Sequence, residues 1–189
     1  MVQRCAWVTA DHVYIDYHDH EWGRPTYDDR MLFELLSLEG AQAGLSWITI
    51  LKRRPEYRKA FCDFDAEKVS RYTEQDIQAL TRNKGIIRNE RKIRSVVKNA
   101  TLFLDVQREF GSFSDYIWQF VGGMPIENDW DTHDDVPSET KESKKMSKAL
   151  KKRGFSFVGP TILYAFMQAT GMVNDHTKDC FLYHGKRVI

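Results

Sequence analysis

The sequence predicts an all-α protein built as a single domain over residues 1–189. Three observations carry this. Apolar residues recur at helical spacing in several segments, no stretch alternates apolar and polar residues with a period of two, and no internal repeat is found. A chain of 189 residues buries one substantial core. Its 42% hydrophobic and 29% charged residues place it in the soluble globular class. It has no 18-residue charge-free span and no signal-like N-terminus, so a cytoplasmic, bacterial-type protein without a membrane partner is expected. Nothing in the sequence demands a dimer, and a monomer is expected. The formal net charge of +1 excludes a generally basic nucleic-acid coat. Any polyanion must then meet a local patch. Cysteines at positions 5, 62 and 180 form no short-spaced pair, and their odd number argues against a disulfide framework. Metal binding or burial is left to account for them.

From Cys5 to Glu21 the chain carries Trp7, Tyr14, Tyr17 and three histidines, too dense in aromatic and imidazole groups for a fraying tail, so this segment is expected to dock on the body. Asp28 or Asp29 offers an N-cap to a helix that runs to Glu39. Gly40 and Gly44 permit a bend or a close backbone approach. A further helix from about Ser46 is expected to end at Lys52, Arg53, Arg54 and Pro55, where basic residues suit a C-terminus and proline stops propagation. Thr73 and Asp76 have the spacing of a capping box, opening a short helix to about Asn83. Between Asn89 and Phe110 the positions Ile93, Val96, Val97, Ala100, Phe103, Leu104 and Val106 follow helical spacing. Arg91, Lys92, Arg94 and Lys98 are interleaved with them, giving an amphipathic helix with a basic start. After Gly111 another helix buries Phe113, Tyr116, Ile117, Phe120 and Val121. Residues 124–140 hold six acids and no lysine or arginine, and are expected to form a flexible acidic surface loop. A basic helix follows, from Lys141 to Arg153.

Three constellations could carry chemistry. In the first, Glu39 sits among Leu35, Leu36, Leu38, Ala41, Ala43 and Leu45, where an unpaired charge costs several kcal/mol to bury. Either it faces the surface, or it faces a cavity and meets a ligand there. Trp47, Tyr14 and Tyr17 could supply stacking faces for a flat cationic heterocycle. Trp7, Trp22 and Trp118 read equally well as packing. In the second, Cys5 and His18 near the N-terminus and His176 and Cys180 near the C-terminus make a Cys2His2 set. A closed four-ligand zinc would be structural there. Ordinary buried cysteines are the alternative, and His12, His20, His133 and His184 compete as ligands. In the third, a basic helix runs into Gly154, Phe155, Ser156, Phe157, Val158 and Gly159, with Pro160 opening the next helix. Backbone N–H groups of such a turn suit a phosphate, although any helical hairpin needs a glycine.

The stretches RCAWV, YIDYHDHEWG and LSLEGAQAGLSWITILKR, with GIIRN and the later SKALKKRGFSFVGPTILYAFMQATGMVNDH, closely resemble the 3-methyladenine DNA glycosylase I (Tag) family. The resemblance is strongest over Arg4 to Arg53 and Ser147 to Cys180, and slight in the acidic loop. It implies a helix-hairpin-helix glycosylase fold with the hairpin at about residues 147–172. It also implies one structural Zn2+ per chain on Cys5, His18, His176 and Cys180. The implied activity is base-excision repair: double-stranded DNA carrying 3-methyladenine is the substrate, and the free base is the product. On the family pattern Glu39 accepts hydrogen bonds from the base, Trp47 stacks on it, and Tyr14 and Tyr17 complete the pocket. Gly44 and Leu45 prop open the vacated stack, and Gly154, Phe155, Val158 and Gly159 hold the DNA backbone. Bifunctional relatives place a lysine just after the hairpin glycine. Here Gly159 is followed by Pro160, Thr161 and Ile162, so water is the expected nucleophile and no strand cleavage is expected. Many relatives carry an aspartate where this chain has Asn174. Asp175, displaced by one, is taken as structural. A rival reading from another class is a zinc-stabilised DNA-binding module that senses alkylated bases without excising them.

Overall fold

The computed structural model describes residues 2–183, and His184, one of the competing ligand candidates, lies outside them. The described residues form α1 (His12–His20), α2 (Asp29–Gln42), α3 (Trp47–Ala60), α4 (Ala66–Val69), α5 (Glu74–Leu80), α6 (Glu90–Phe110), α7 (Phe113–Ile117), α8 (Lys141–Lys152) and α9 (Pro160–Ala169). Two short strands, β1 (Ile126–Glu127) and β2 (Val173–Asn174), pair in parallel. The fold is thus helical, as the sequence predicts, apart from this two-residue bridge. A pairing so short leaves no period-two pattern to detect.

Helix α2 is the centre of the core. Leu32, Phe33, Leu35, Leu36 and Leu38 are buried on all its faces, and it packs against α3, α6, α7 and α9. Asp28 caps it, accepting from Met31 N at 2.8 Å. Asp29 serves a different helix, receiving the first-turn amides of Phe113 and Ser114 at 2.8 Å each. The Thr73–Asp76 capping box forms where its sequence signal places it, and Asn89 caps α6, accepting from Lys92 N at 3.1 Å.

Two expectations need correction. Helix α3 does not stop at Pro55 but continues to Ala60. A proline inside a helix costs about 3 kcal/mol, and the residues that flank it supply compensation. The Arg54 guanidinium is buried and donates to Glu34 at 2.5 Å and to Glu21 at 2.7 and 2.8 Å, while Arg58 donates to Glu34 at 2.8 Å. The turn that proline weakens is therefore held by charge pairs to α2 and to the end of α1. Second, the acidic segment 124–140 is strapped to the C-terminal part of the chain. The β1–β2 bridge joins Ile126 to Val173, Asn174 donates to Glu127 at 2.6 Å, and Lys178 pairs with Asp131 at 2.8 Å.

Candidate active site

Helix α1, the last turn of α2 and the first turn of α3 converge on one cavity of about 180 Å³. That is smaller than the roughly 300–1,000 Å³ of sites for drug-sized ligands, and suits a single ring system. Tyr14 and Tyr17, three residues apart on α1, share the helix face that lines it. Glu39 enters from α2 and Trp47 from the start of α3. All four of the predicted pocket residues are brought together. The Tyr17 and Trp47 rings lie 5.6 Å apart at a tilt of 57°.

Glu39 is 3% exposed, and among the described residues its carboxylate has neither a hydrogen-bond donor nor a cation. Burial alone raises its pKa from 4.5 to about 8. Burial also raises the Tyr17 phenol well above its usual value, and the neighbouring charge of Glu39 adds to that shift. The Trp47 indole N–H is buried without an acceptor in bonding geometry. The nearest acceptor to that N–H is the Tyr17 phenol, out of bonding geometry, so the group the cavity leaves without any partner is the Glu39 carboxyl between aromatic walls. Glu34 shows the contrast: it is buried on the same helix but satisfied by two guanidinium groups. An unpartnered buried acid is thus peculiar to the cavity side of α2.

Trp7, Trp22, Gln42, His133, Ala165 and Gln168 also line the cavity. Sequence reasoning left Trp7 and Trp22 with a packing role and did not single out Gln42, Ala165 or Gln168. No local pattern marks them, because they arrive from the N-terminal segment, α2, the acidic segment and α9. Trp118 does only pack: it is buried and donates to Thr26 O at 3.1 Å.

The turn between α2 and α3 exposes Leu45, which is 38% accessible. Gly44 has φ +80°, a left-handed conformation that favours glycine. Gln42 closes the turn by donating to Leu45 O at 2.9 Å. Gly40 serves close approach, since a Cβ there would lie 3.2 Å from the Phe157 Cβ of the α8–α9 connection. In that connection the side chains of Phe155 and Val158 are buried in the core. Only their main chain is open to a partner. The amides of Gly154 and Phe155 are used internally, by Lys151 O and Leu150 O. Among the described residues no acceptor meets the amides of Phe157, Val158 and Gly159. The first-turn amides of α9 beyond Pro160 are orphaned by helix geometry. Free donors thus cluster later in the connection than Gly154.

Cys5, His18, His176 and Cys180 are all buried, with their ligand atoms within 4.8 Å of one another. Cys180 Sγ lies 3.5 Å from both His18 Nε2 and His176 Nδ1, and Cys5 Sγ 3.5 Å from His176 Nδ1. A tetrahedral zinc with bonds of about 2.3 Å to sulfur and 2.0 Å to nitrogen requires sulfur–nitrogen edges of about 3.5 Å. The donor set fits that ion. The imidazoles are oriented from behind: His18 Nδ1 meets Asp19 at 2.8 Å, Asp19 is held by Arg4 at 2.6 Å, and His176 Nε2 faces Trp22 O at 3.3 Å. His12 and His20 lie outside this group, and His133 lines the cavity instead.

Asp175 is fully engaged. It accepts from Asn128 at 2.7 Å, Trp130 at 2.8 Å, Tyr164 at 2.6 Å and Gln168 at 2.8 Å. It joins the acidic segment to α9, as a structural residue would.

Comparison with known proteins bears on this site. The family model described as methyladenine glycosylase matches residues 7–183. The chain is 52% identical over 180 residues to the DNA-3-methyladenine glycosylase of Haemophilus influenzae, covering 95% of this chain and 97% of that one. A crystal structure of 3-methyladenine DNA glycosylase I superposes with a TM-score of 0.94 at 49% identity, covering 96% of this chain and all of the other. A variant of 3-methyladenine DNA glycosylase I in complex with 3-methyladenine superposes with a TM-score of 0.91 at 41% identity, covering 94% and 95%. The chain belongs to the methyladenine glycosylase family.

Proposed function

We propose that this protein hydrolyses the N-glycosidic bond of 3-methyladenine in alkylated double-stranded DNA, releasing the free base and leaving an abasic site. The observation that carries this reading is the unpartnered, buried carboxylate of Glu39 inside an aromatic cavity sized for one ring system. A base alkylated at N3 is cationic and its glycosidic bond is already weakened, so it is both the partner such an acid lacks and a good leaving group. Glu39 accepts hydrogen bonds from the base and complements its charge. Trp47 stacks on it, and Tyr14 and Tyr17 close the remaining sides. The nucleotide has to leave the duplex to reach them, at an unstacking cost of a few kcal/mol that is least for a damaged base. Leu45, exposed at the tip of its turn, fills the vacated stack beside Gly44. The α8–α9 hairpin holds the backbone through the amides near Val158 and Gly159, with Gly154 shaping the turn and Phe155 anchoring it in the core.

Water is the nucleophile on this reading. No lysine is among the residues that line the cavity, so no amine is placed to form a Schiff base, and the enzyme is monofunctional. Asp175, with four donors already bound, has no free lone pair aimed at a water. Catalysis then rests on binding the charged base in its departing geometry. Cys5, His18, His176 and Cys180 would hold one structural Zn2+ per chain. A closed four-ligand ion contributes folding energy rather than an open coordination position. It would pin the segment carrying Trp7, Tyr14 and Tyr17 against the C-terminal part of the chain.

The test is a product assay on methylated duplex DNA, with and without alkali. Released 3-methyladenine, with strand breaks only after alkali, is the expected result. Binding of methylated DNA without base release would overturn the reading in favour of a non-enzymatic sensor.

A further inference from the structure

The basic start of α6 takes no part in the cavity, yet its position is not that of an ordinary solvated face. Arg91, Arg94, Ser95 and Lys98 line a groove of about 570 Å³ whose opposite wall is Ser156 and Phe157 of the α8–α9 connection. Arg91 and Lys98 are seven residues apart, two helical turns, and so project from one face about 10 Å apart. Arg94 is committed to Glu74 at 2.5 Å and Glu90 at 2.7 Å. Arg91 and Lys98 are exposed and have no carboxylate partner among the described residues, and the one polar contact of Lys98 is Ser156 Oγ at 3.4 Å.

The two walls are fixed to each other. The Asn99 side chain accepts from Ser156 N and donates to Ser156 O, both at 2.9 Å. The groove is also fixed to the Leu45 turn. Lys92, adjacent to Arg91, donates from Nζ to Ala41 O at 2.8 Å and Ala43 O at 2.6 Å, immediately before Gly44. Exposed Leu45, the free amides at 157–159 and the two unpaired cations therefore border one another on a rigid surface.

We infer that this groove is a second DNA-backbone site, in which Arg91 and Lys98 bind phosphates beside the α8–α9 hairpin. The inference rests on the proposed action on duplex DNA, and it adds a contact surface that the hairpin alone does not provide. The ligand is a phosphodiester, and the contact positions the duplex without reading its sequence.

Its test is the salt dependence of binding to an undamaged duplex by the full-length chain. Each phosphate neutralised contributes about 0.9 to the slope of log affinity against log salt. R91Q/K98Q should make the slope shallower by about 1.8, R91K/K98R should restore it, and the single variants should each account for about half. Both residues face solvent, so melting temperature should hold, and the single variants carry the test if the double variant folds poorly. K59Q/K68Q removes the same charge away from the groove and should keep the wild-type slope. An unchanged slope in R91Q/K98Q, or an equal loss in K59Q/K68Q, overturns the site while leaving base release by the wild type intact. A wild type that neither binds duplex nor releases 3-methyladenine overturns the proposed function, and the groove with it.

Discussion

Replacing Glu39 by glutamine probes the physical basis of the cavity directly. The carboxyl is 3% exposed and unpartnered, and burial raises its pKa from 4.5 to about 8. At 1.36 kcal/mol per unit, ionising it in the folded chain costs at most about 5 kcal/mol. The unfolded chain releases this proton near pH 4.5, whereas the folded chain keeps it to about pH 8. Between those values the native state binds more protons, so stability falls as pH rises. Below the window both states are protonated and the term vanishes; above it both are ionised and the penalty is complete. Glutamine has no proton to lose. The difference in unfolding free energy between E39Q and wild type should therefore shift in favour of E39Q by up to about 5 kcal/mol across the window, whatever its offset at low pH. Urea unfolding of both proteins at a series of pH values measures this, and contributions from all other titrating groups cancel in the difference. Curves that run parallel from pH 4.5 to pH 8 would refute a desolvated, unpaired Glu39.

Three further perturbations separate the parts of the site. W47A should weaken binding of free 3-methyladenine by about 1–3 kcal/mol, the worth of one base–aromatic stack, which calorimetry would detect; unchanged affinity would place the base elsewhere. L45A should alter stability by no more than about 1 kcal/mol, because the side chain is already partly exposed. It should slow base release from duplex DNA and leave free-base affinity untouched, so excision at the wild-type rate would remove Leu45 from the role of wedge. C180S should cut the zinc content measured by atomic absorption and lower stability by roughly 4 kcal/mol or more, the scale of a lost metal site. A C180S protein carrying a full complement of zinc would eliminate that ligand.

What could be read from the sequence divides along a physical line. Glu39 stood out because six apolar neighbours surround it in the chain itself, and helical periodicity converts such a pattern into burial. Trp47 lies eight residues from it, about two helical turns, whereas Tyr14 and Tyr17 lie 25 and 22 residues before it and are assigned to the pocket by the family resemblance rather than by spacing. Gln168, Trp7 and Trp22 were not identifiable, because their place in the cavity depends on how α9 and the N-terminal segment dock, which no local spacing encodes. Pro55 misled for the same reason: its local signal is a helix stop, and the opposing signal is a set of charge pairs 20 to 33 residues away, between Arg54 and both Glu34 and Glu21. Gly40 could be assigned either a bend or a close approach from sequence, and only the Phe157 contact decides for close approach.

The burial that costs stability is also a means of discrimination. No lysine or arginine lines the cavity, so no side-chain cation offsets the charge on Glu39 before a ligand arrives. A neutral base entering the cavity leaves that carboxyl either protonated or ionised and unpaired. A cationic base supplies the missing charge in a desolvated setting, where it acts more strongly than in water. Recovering about 2 kcal/mol of the penalty would favour the cation by about 30-fold, within the range of about 10- to 200-fold that a single methyl contact in an apolar pocket gives, whereas recovering all of the roughly 5 kcal/mol would favour it by about 3,000-fold. Aromatic walls reinforce the preference through their ring quadrupoles without adding a counter-charge. Selectivity for an alkylated, cationic base then comes chiefly from what the cavity withholds from Glu39. A cavity-lining cation introduced at Gln42, as Q42K, should abolish the preference by satisfying the acid in advance.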